Sequence, residues 1–190
     1  MTYRVQAFNP GNRKDFFEFH SRVGGECFCS AWWVDTWEEW LAQSGEENRQ
    51  LREELLKRGE YDGYLIYDGD KAIGWCQVGA QDRFGKLLTQ FNLTLDPRTW
   101  AITCFQIDGD YQRQGVASLL LEAVMQQLSQ KGVPRVVAFP KIDISLPAHQ
   151  QWTGPKAMYE RAGFELVREN QTRAIYAKTL KPTPLDQISR

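Results

Sequence analysis

Gln112, Gly115 and Ala117 sit where a nearly continuous apolar run, Trp100 to Ile107, passes through a polar stretch into residues with helical spacing. The apolar run reads as a buried strand. From Gly115 to Lys131 the residues Ala117, Leu120, Leu121, Val124 and Leu128 recur at helical intervals, and Gly132 and Pro134 end the run. The three residues therefore fall at a strand–helix junction. A helix N-terminus presents unpaired amides and a partial positive charge, and phosphates bind there. Small residues at 115 and 117 allow a pyrophosphate to approach the backbone, and Arg113 adds a positive side chain. The plainer alternative is that Gly115 only opens a helix after a turn. A Walker-type phosphate loop is excluded because no Gly-Lys-Ser/Thr follows. A dinucleotide fingerprint is excluded because no G-x-G-x-x-G is present.

The elements that would position this junction are readable along the chain. Thr2 to Phe8 is expected to be a first strand. Asn12 is placed to cap a helix carrying Phe16, Phe19, His20 and Val23, which Gly24 and Gly25 stop. An aromatic segment from Cys27 to Trp40 follows. Ser44 is placed to cap a further helix, with Glu46 and Glu47 in its first turn and Lys57 and Arg58 in its last. Tyr64 to Tyr67 and Ala72 to Val78 flank Asp68-Gly69, a hairpin signal. Gln81 to Asp96 reads as a short helix or an irregular loop. Beyond the long helix, Arg135 to Phe139 starts a strand, and Pro155 to Ala162 a short helix with Pro in its first turn. Phe164 to Arg168 and Arg173 to Lys178 form a closing strand pair. This order implies an α/β domain, an α+β mixed sheet with helices on both faces. The strand–helix–strand unit around residues 100–139 is expected to cross over right-handed. One domain over residues 1–180 is expected, with a loose tail over 181–190.

Composition bounds the function. At 190 residues, 42% apolar and 25% charged, the chain reads as globular and able to bury roughly two-thirds of its unfolded surface. A net charge of −1 argues against nucleic acid as a partner. No apolar run of about 18 residues predicts a membrane span, and the N-terminal residues lack a signal-peptide core. A cytoplasmic location follows as the default. Cys27 and Cys29 form a C-x-C pair. They read either as half of a metal site or as two small buried residues beside aromatic neighbours. His20 and His149 have no ligand partner close in sequence, so no metal is expected. Disulfides are disfavoured in a reducing compartment.

Gln112 to Ala117 matches the pyrophosphate loop Q/R-x-x-G-x-G/A of the GNAT (GCN5-related N-acetyltransferase) superfamily, in its strand-before, helix-after context. Met158 to Phe164 matches a second hallmark, a short helix with an aromatic hydroxyl followed by Gly-Phe at the start of a strand. The chain thus resembles that superfamily over nearly its whole length. It is closer to a subgroup with a Cys-x-Cys-x-x-Trp element, here Cys27 to Trp32, a Gly-Trp-Cys strand, here Gly74 to Cys76, and a Gly-x-x-x-Met-aromatic helix, here Gly154 to Tyr159. The resemblance implies a twisted, mostly antiparallel sheet with one splayed parallel pair, and an N-acetyltransferase that carries an acetyl group from acetyl-CoA to a primary amine. Phe105, Gln106 and Ile107 would meet the pantetheine arm. Gln112, Arg113, Gln114, Gly115, Val116, Ala117 and Ser118 would meet the pyrophosphate. The Ile107 amide would polarise the thioester carbonyl, and Tyr159 would protonate the leaving thiolate. No covalent acyl-enzyme and no metal are implied.

Glu26, Asp82, Asp108 and His149 are candidates for the base, with no spacing argument to separate them. Where many members place an Asn to hold the pantetheine, this chain has Trp152, so that end of the cleft is expected to be shaped differently. Phe28, Trp32, Trp33, Trp37 and Trp40 read either as an aromatic acceptor pocket or, for most of them, as core. A small amine or a peptide amine is the expected acceptor. The alternatives are a non-catalytic acyl-CoA sensor and a partner-binding domain using the loop from Lys141 to Pro155. A homodimer is common in the superfamily, but the oligomeric state is not legible here.

Overall fold

The computed structural model describes residues 2–142 and 151–181. His149, most of the Lys141–Pro155 loop and the tail from Pro182 lie outside the described residues. The elements run β1 (Tyr3–Ala7), α1 (Arg13–Arg22), α2 (Trp37–Ala42), α3 (Gly45–Lys57), β2 (Tyr64–Asp68), β3 (Lys71–Ala80), α4 (Gly85–Phe91), β4 (Thr99–Ile107), α5 (Val116–Gln130), β5 (Arg135–Ala138), α6 (Lys156–Arg161), β6 (Glu165–Glu169) and β7 (Ala174–Thr179). Short 3-10 turns join several of them.

Local chemistry explains most boundaries. Ser44 accepts from the Glu47 amide while the Glu47 carboxylate accepts from the Ser44 amide, a capping box that starts α3 as expected. Asn12 acts differently. Its side chain accepts from the Asn9 amide at 2.9 Å and donates to Ala7 O at 3.0 Å, so it ties β1 to a 3-10 turn instead of capping α1. The stretch 81–96 resolves into a 3-10 turn, Gln81–Arg83, and the two-turn α4, which ends at Asn92 in the left-handed region.

The strands form one sheet in the order β1-β2-β3-β4-β5-β7-β6. Every neighbouring pair is antiparallel except β4–β5, which is parallel from Thr99↔Arg135 to Ile102↔Ala138. Helices cover both faces. Val116, Leu120, Leu121, Val124 and Leu128 of α5 pack with Ile66, Cys76, Val78, Ile102 and Val136 on one face. On the other, Phe16 and Phe19 of α1 and Leu56 of α3 pack on Leu65, Tyr67, Trp75 and Cys104. Beside them Trp32 and the α4 residues Leu87 and Phe91 pack on Ala101, Val137 and Ile175. This is the mixed sheet that the order of elements predicts, with the one parallel pair that the family resemblance implies.

One irregularity in β4 decides which side chains face which helices. The β3–β4 register runs Gln77↔Cys104 and then Val78↔Ile102, so Thr103 is an extra residue on β4. Such a bulge shifts the alternation by one. Ile102 consequently packs with α5, whereas Cys104 packs with α1.

Candidate functional site

A cleft of about 1230 Å³ opens along the C-terminal end of β4. Its size exceeds the ~300–1,000 Å³ of an ordinary small-ligand pocket, which leaves room for a long cofactor and a second molecule. One half is formed by the turn Gly109–Gln112 and the start of α5. The other is formed by the segment from Gly24 to Trp40, β3 and β4.

The first half is built mainly from backbone. Arg113 has φ +58 and Gly115 has φ +81. That left-handed geometry turns the chain sharply into α5, and at 115 it suits only glycine among common residues. A Cβ at Gly115 would meet no atom within 4 Å, so it would project into open space and not into packing. The first helical bond runs from the Leu119 amide to Gly115 O at 3.0 Å. The amides of Val116, Ala117 and Ser118 therefore have no helical acceptor, and all three residues line the cleft. Gln112 donates from Nε2 to Ile107 O at 3.0 Å and pins the turn to the end of β4. Gln114 donates to Asp110 O at 2.7 Å. Its side chain braces the turn. Arg113 and Arg161 both line the cleft. Free amides, a helix dipole of 15 residues and two cations fit a phosphate or diphosphate.

Where the parallel strands part after Ile102 and Ala138, β4 loses its neighbour on that side. The Asp108 amide donates to Ile73 O at 2.9 Å, which makes 108:73 and 106:75 the hydrogen-bonded pairs of the β3–β4 ladder. The main-chain groups of Phe105 and Ile107 consequently point away from β3, toward the gap. The Phe105 amide is taken: it donates to Trp152 O at 2.6 Å. Sequence reasoning placed that amide at a ligand and saw in Trp152 only a departure from a pattern. In the fold the Trp152 carbonyl acts as a one-residue neighbour that closes the near end of the gap. Its ring lies 5.2 Å from the Arg173 guanidinium and 6.2 Å from the Trp32 ring. The Ile107 amide, one pair further out, has the gap in front of it.

Tyr159 is fully buried and is not among the cleft-lining side chains; its neighbour Met158 is. The Tyr159 hydroxyl donates to Thr153 O at 2.7 Å, and Arg173 holds the Thr153 hydroxyl at 3.0 Å. Burial raises the phenol well above its ordinary pKa of 10. Gly154, at φ +80, is required beside it, because a Cβ there would lie 2.8 Å from both the Tyr159 hydroxyl and Met158 Cε.

The candidate bases separate clearly. Asp108 lies between Arg22 at 3.3 Å and Lys71 at 3.2 Å. Burial opposes its ionisation, but the Asp110 amide, Lys71 and Arg22 outweigh it and hold the carboxyl below the ordinary range, which makes it a weak base. Asp82 lies in the turn after β3 and is not a cleft residue. Glu26 is exposed and lines the cleft.

The second half is built from side chains far apart in sequence. Cys29 Sγ lies 3.3 Å from Cys104 Sγ and 3.5 Å from His20 Nε2. His20 Nδ1 pairs with Phe16 O at 2.9 Å, and burial lowers its pKa to about 3, so the ring is neutral. Burial also raises the Cys29 thiol, which stays protonated. Among the described residues no three His, Cys, Asp or Glu side chains are arranged to hold a metal. Phe28 and Cys29 adopt left-handed φ values of +41 and +49, uncommon for such residues. Arg52, fully buried on α3, donates from Nε to Phe28 O and from Nη2 to Cys29 O, both at 2.9 Å. Its guanidinium also lies 5.2 Å from the Phe16 ring and 5.0 Å from the Trp33 ring. No sequence signal singled out Arg52. Of the tryptophans, Trp32 is buried with one edge on the cleft, while Trp37 and Trp40 line it half-buried.

Comparisons with known proteins bear on the fold and the family. A search of curated protein sequences gives no match. Among solved structures the chain is similar to the ribosomal-protein-S18-alanine N-acetyltransferase of Escherichia coli, at 15% identity and a TM-score of 0.56, covering 97% of this chain and 98% of that one. It is similar to the PaiA N-acetyltransferase of Thermoplasma acidophilum in complex with coenzyme A, at 11% identity and a TM-score of 0.57, covering 94% and 99%. It is also similar to Ard1 of Thermoplasma volcanium, at 13% identity and a TM-score of 0.56, covering 95% and 99%. These likenesses establish the fold. The acetyltransferase (GNAT) family model matches residues 28–164, well over half of the sequence, and the chain belongs to that family.

Proposed function

We propose that this protein is an N-acetyltransferase that binds acetyl-CoA along the cleft and transfers its acetyl group directly to a primary amine. The observation that carries the reading is the mouth of α5. Three amides without helical partners, behind a left-handed Gly115 and beside Arg113, open into a cleft large enough for coenzyme A and an acceptor. In this reading the amides of Val116, Ala117 and Ser118 hold the diphosphate. Gln112 and Gln114 keep the turn in shape. The pantetheine arm runs beside β4 beyond the Trp152 carbonyl, where the Phe105 amide is already bonded.

The amine attacks the thioester carbonyl. The Ile107 amide supports the oxyanion, Glu26 takes the ammonium proton through solvent, and coenzyme A leaves as a thiolate. An ordinary thiol has a pKa of about 8.5, so a proton donor lowers the barrier to its departure. Tyr159 is the candidate donor. To act, its phenol exchanges Thr153 O for the thiolate. A second reading, in which Tyr159 only braces the turn before α6, is favoured by that same hydrogen bond.

The likeness to a subgroup with a Cys-x-Cys-x-x-Trp element belongs to this proposal as well, since Cys29 and Trp32 both border the acceptor half. The test is calorimetry with acetyl-CoA, followed by thiol release against a panel of amines. Binding with amine-dependent release is expected. Binding without release for any amine would make the protein an acyl-CoA sensor, and no binding at millimolar ligand would end the proposal.

A further inference from the structure

The acceptor half of the cleft contains buried polar atoms that the protein leaves unsatisfied. Gln77, on β3, is 0% exposed, and among the described residues neither its Oε1 nor its Nε2 has a hydrogen-bond partner. Trp32 is 3% exposed, and its Nε1–H has none among them either. Both side chains line the cleft. Other unpaired buried atoms, on Trp75, Thr103, Arg52 and Gln43, belong to residues that do not line it. An unpaired buried polar group costs free energy, whereas an apolar residue of the same shape does not. Leucine or methionine would suit position 77 for packing alone, and phenylalanine would suit position 32.

The sheet explains why Gln77 faces this side. Gln77 pairs across the ladder with Cys104, and the extra residue Thr103 turns Cys104 toward α1. Gln77 follows Trp75 by two residues on the same face, and it lines the same cleft as Trp32.

We propose that Gln77 and the Trp32 indole form a subsite that reads a carboxamide on the amine acceptor, which rests on the transferase reading above. The donor and acceptor inventory selects the group. Trp32 offers one N–H, and Gln77 offers an NH₂ and a carbonyl. An amide carbonyl accepts from Trp32 and from the Gln77 NH₂, while the amide N–H donates to Gln77 Oε1. A carboxylate would set a lone pair against Gln77 Oε1. An ammonium would set its charge against two N–H donors. The acceptor class is therefore an amine carrying a neutral amide close by, such as an amino-acid amide.

The experiment compares matched acceptors with and without the carboxamide: L-leucinamide against isoamylamine, and L-phenylalaninamide against 2-phenylethylamine. With kcat/KM expressed per free base, because a neighbouring carboxamide lowers an amine's pKa from about 10 to about 8, the wild-type enzyme is expected to favour the amide of each pair by at least about ten-fold, mainly through KM. Gln77→Met is expected to bring that ratio to about one, and Trp32→Phe to reduce it about three-fold, with acetyl-CoA affinity by calorimetry unchanged in both. The proposal is overturned if the wild type shows no amide preference or acetylates no amide-bearing amine while binding acetyl-CoA. It is equally overturned if the ratio survives in both variants, with rates falling alike for every amine. Failure of the wild type to bind acetyl-CoA would instead remove the transferase reading, and the calorimetry detects that before any amine is added.

Discussion

The two halves of the cleft are made by opposite means. The half proposed to face the phosphates is a contiguous stretch, residues 107–118, whose working groups are main-chain amides aligned by one helix and one left-handed glycine. The acceptor half is assembled from α1, the segment after it, α3, β3 and β4. Its shape depends on side chains far apart in the chain, such as Cys29 and Cys104, which are 75 positions apart. A backbone site tolerates changes in most side chains around it and fails at its glycine. A side-chain site fails wherever a long-range clamp is removed.

Arg52 gives the strongest way to break the comparison. Arg52→Met removes a desolvated charge, which is favourable, but leaves the Phe28 and Cys29 carbonyls buried in a strained loop. Each orphaned carbonyl costs about 1–3 kcal/mol, and a net loss of about 2–3 kcal/mol is expected. Urea titration measures it. A variant more stable than wild type would show that the guanidinium does not hold the acceptor half together.

Gly115→Val tests the other half. A β-branched residue at φ +81 is strained by about 1–2 kcal/mol, and its side chain would enter the space proposed for the diphosphate. Acetyl-CoA affinity is expected to fall about 100-fold, with folding loss on the order of the strain alone. Unchanged affinity by calorimetry would dissolve the contrast, because the backbone site would no longer be the cofactor's.

Tyr159→Phe lies at the seam. As a proton donor the phenol is expected to contribute about 100-fold to kcat, with acetyl-CoA affinity retained. As a brace, its loss would lower stability by about 1 kcal/mol and leave kcat within a few-fold. Single-turnover rates together with a melting curve separate the two.

Acid should weaken the acceptor half in particular. Burial lowers His20 from an ordinary 6.5 to about 3. Between those values the unfolded chain binds a proton that the folded chain does not, so stability rises with pH across the window and is lost on acidification. Moving from about pH 7 to about pH 5 is expected to cost about 2 kcal/mol from this group. His20→Gln should flatten the pH slope of the urea midpoint by that amount. An identical slope would place the acid sensitivity elsewhere.

The turn proposed to hold the diphosphate was legible in the sequence as a strand–turn–helix junction, because everything that shapes it is local. Gln112, Gly115 and Ala117, the strand before them and the helical spacing after them specify a turn whose geometry is set within a few residues. The Ser44 cap and the strand–helix–strand unit around residues 100–139 were legible for the same reason. Gly154 and Tyr159 were legible as a motif, but the hydrogen bond from the phenol to Thr153 O was not. That bond depends on where Arg173, twenty residues on, sets the turn.

What only the tertiary structure decided is whatever depends on two distant segments meeting. The Thr103 bulge exists relative to β3, and it alone turns Cys104 toward α1. The Trp152 carbonyl occupies the Phe105 amide because the parallel strands part there. Arg52 looks like any helical arginine until the Phe28–Cys29 loop folds over it. The unpaired polar atoms of Gln77 and Trp32 have meaning only once their surroundings are known. A chain's local pattern determines dihedral angles and periodicity, and these suffice for a helix mouth. Burial, register and the satisfaction of polar atoms are properties of contacts, and contacts form only when the whole sheet has closed around them.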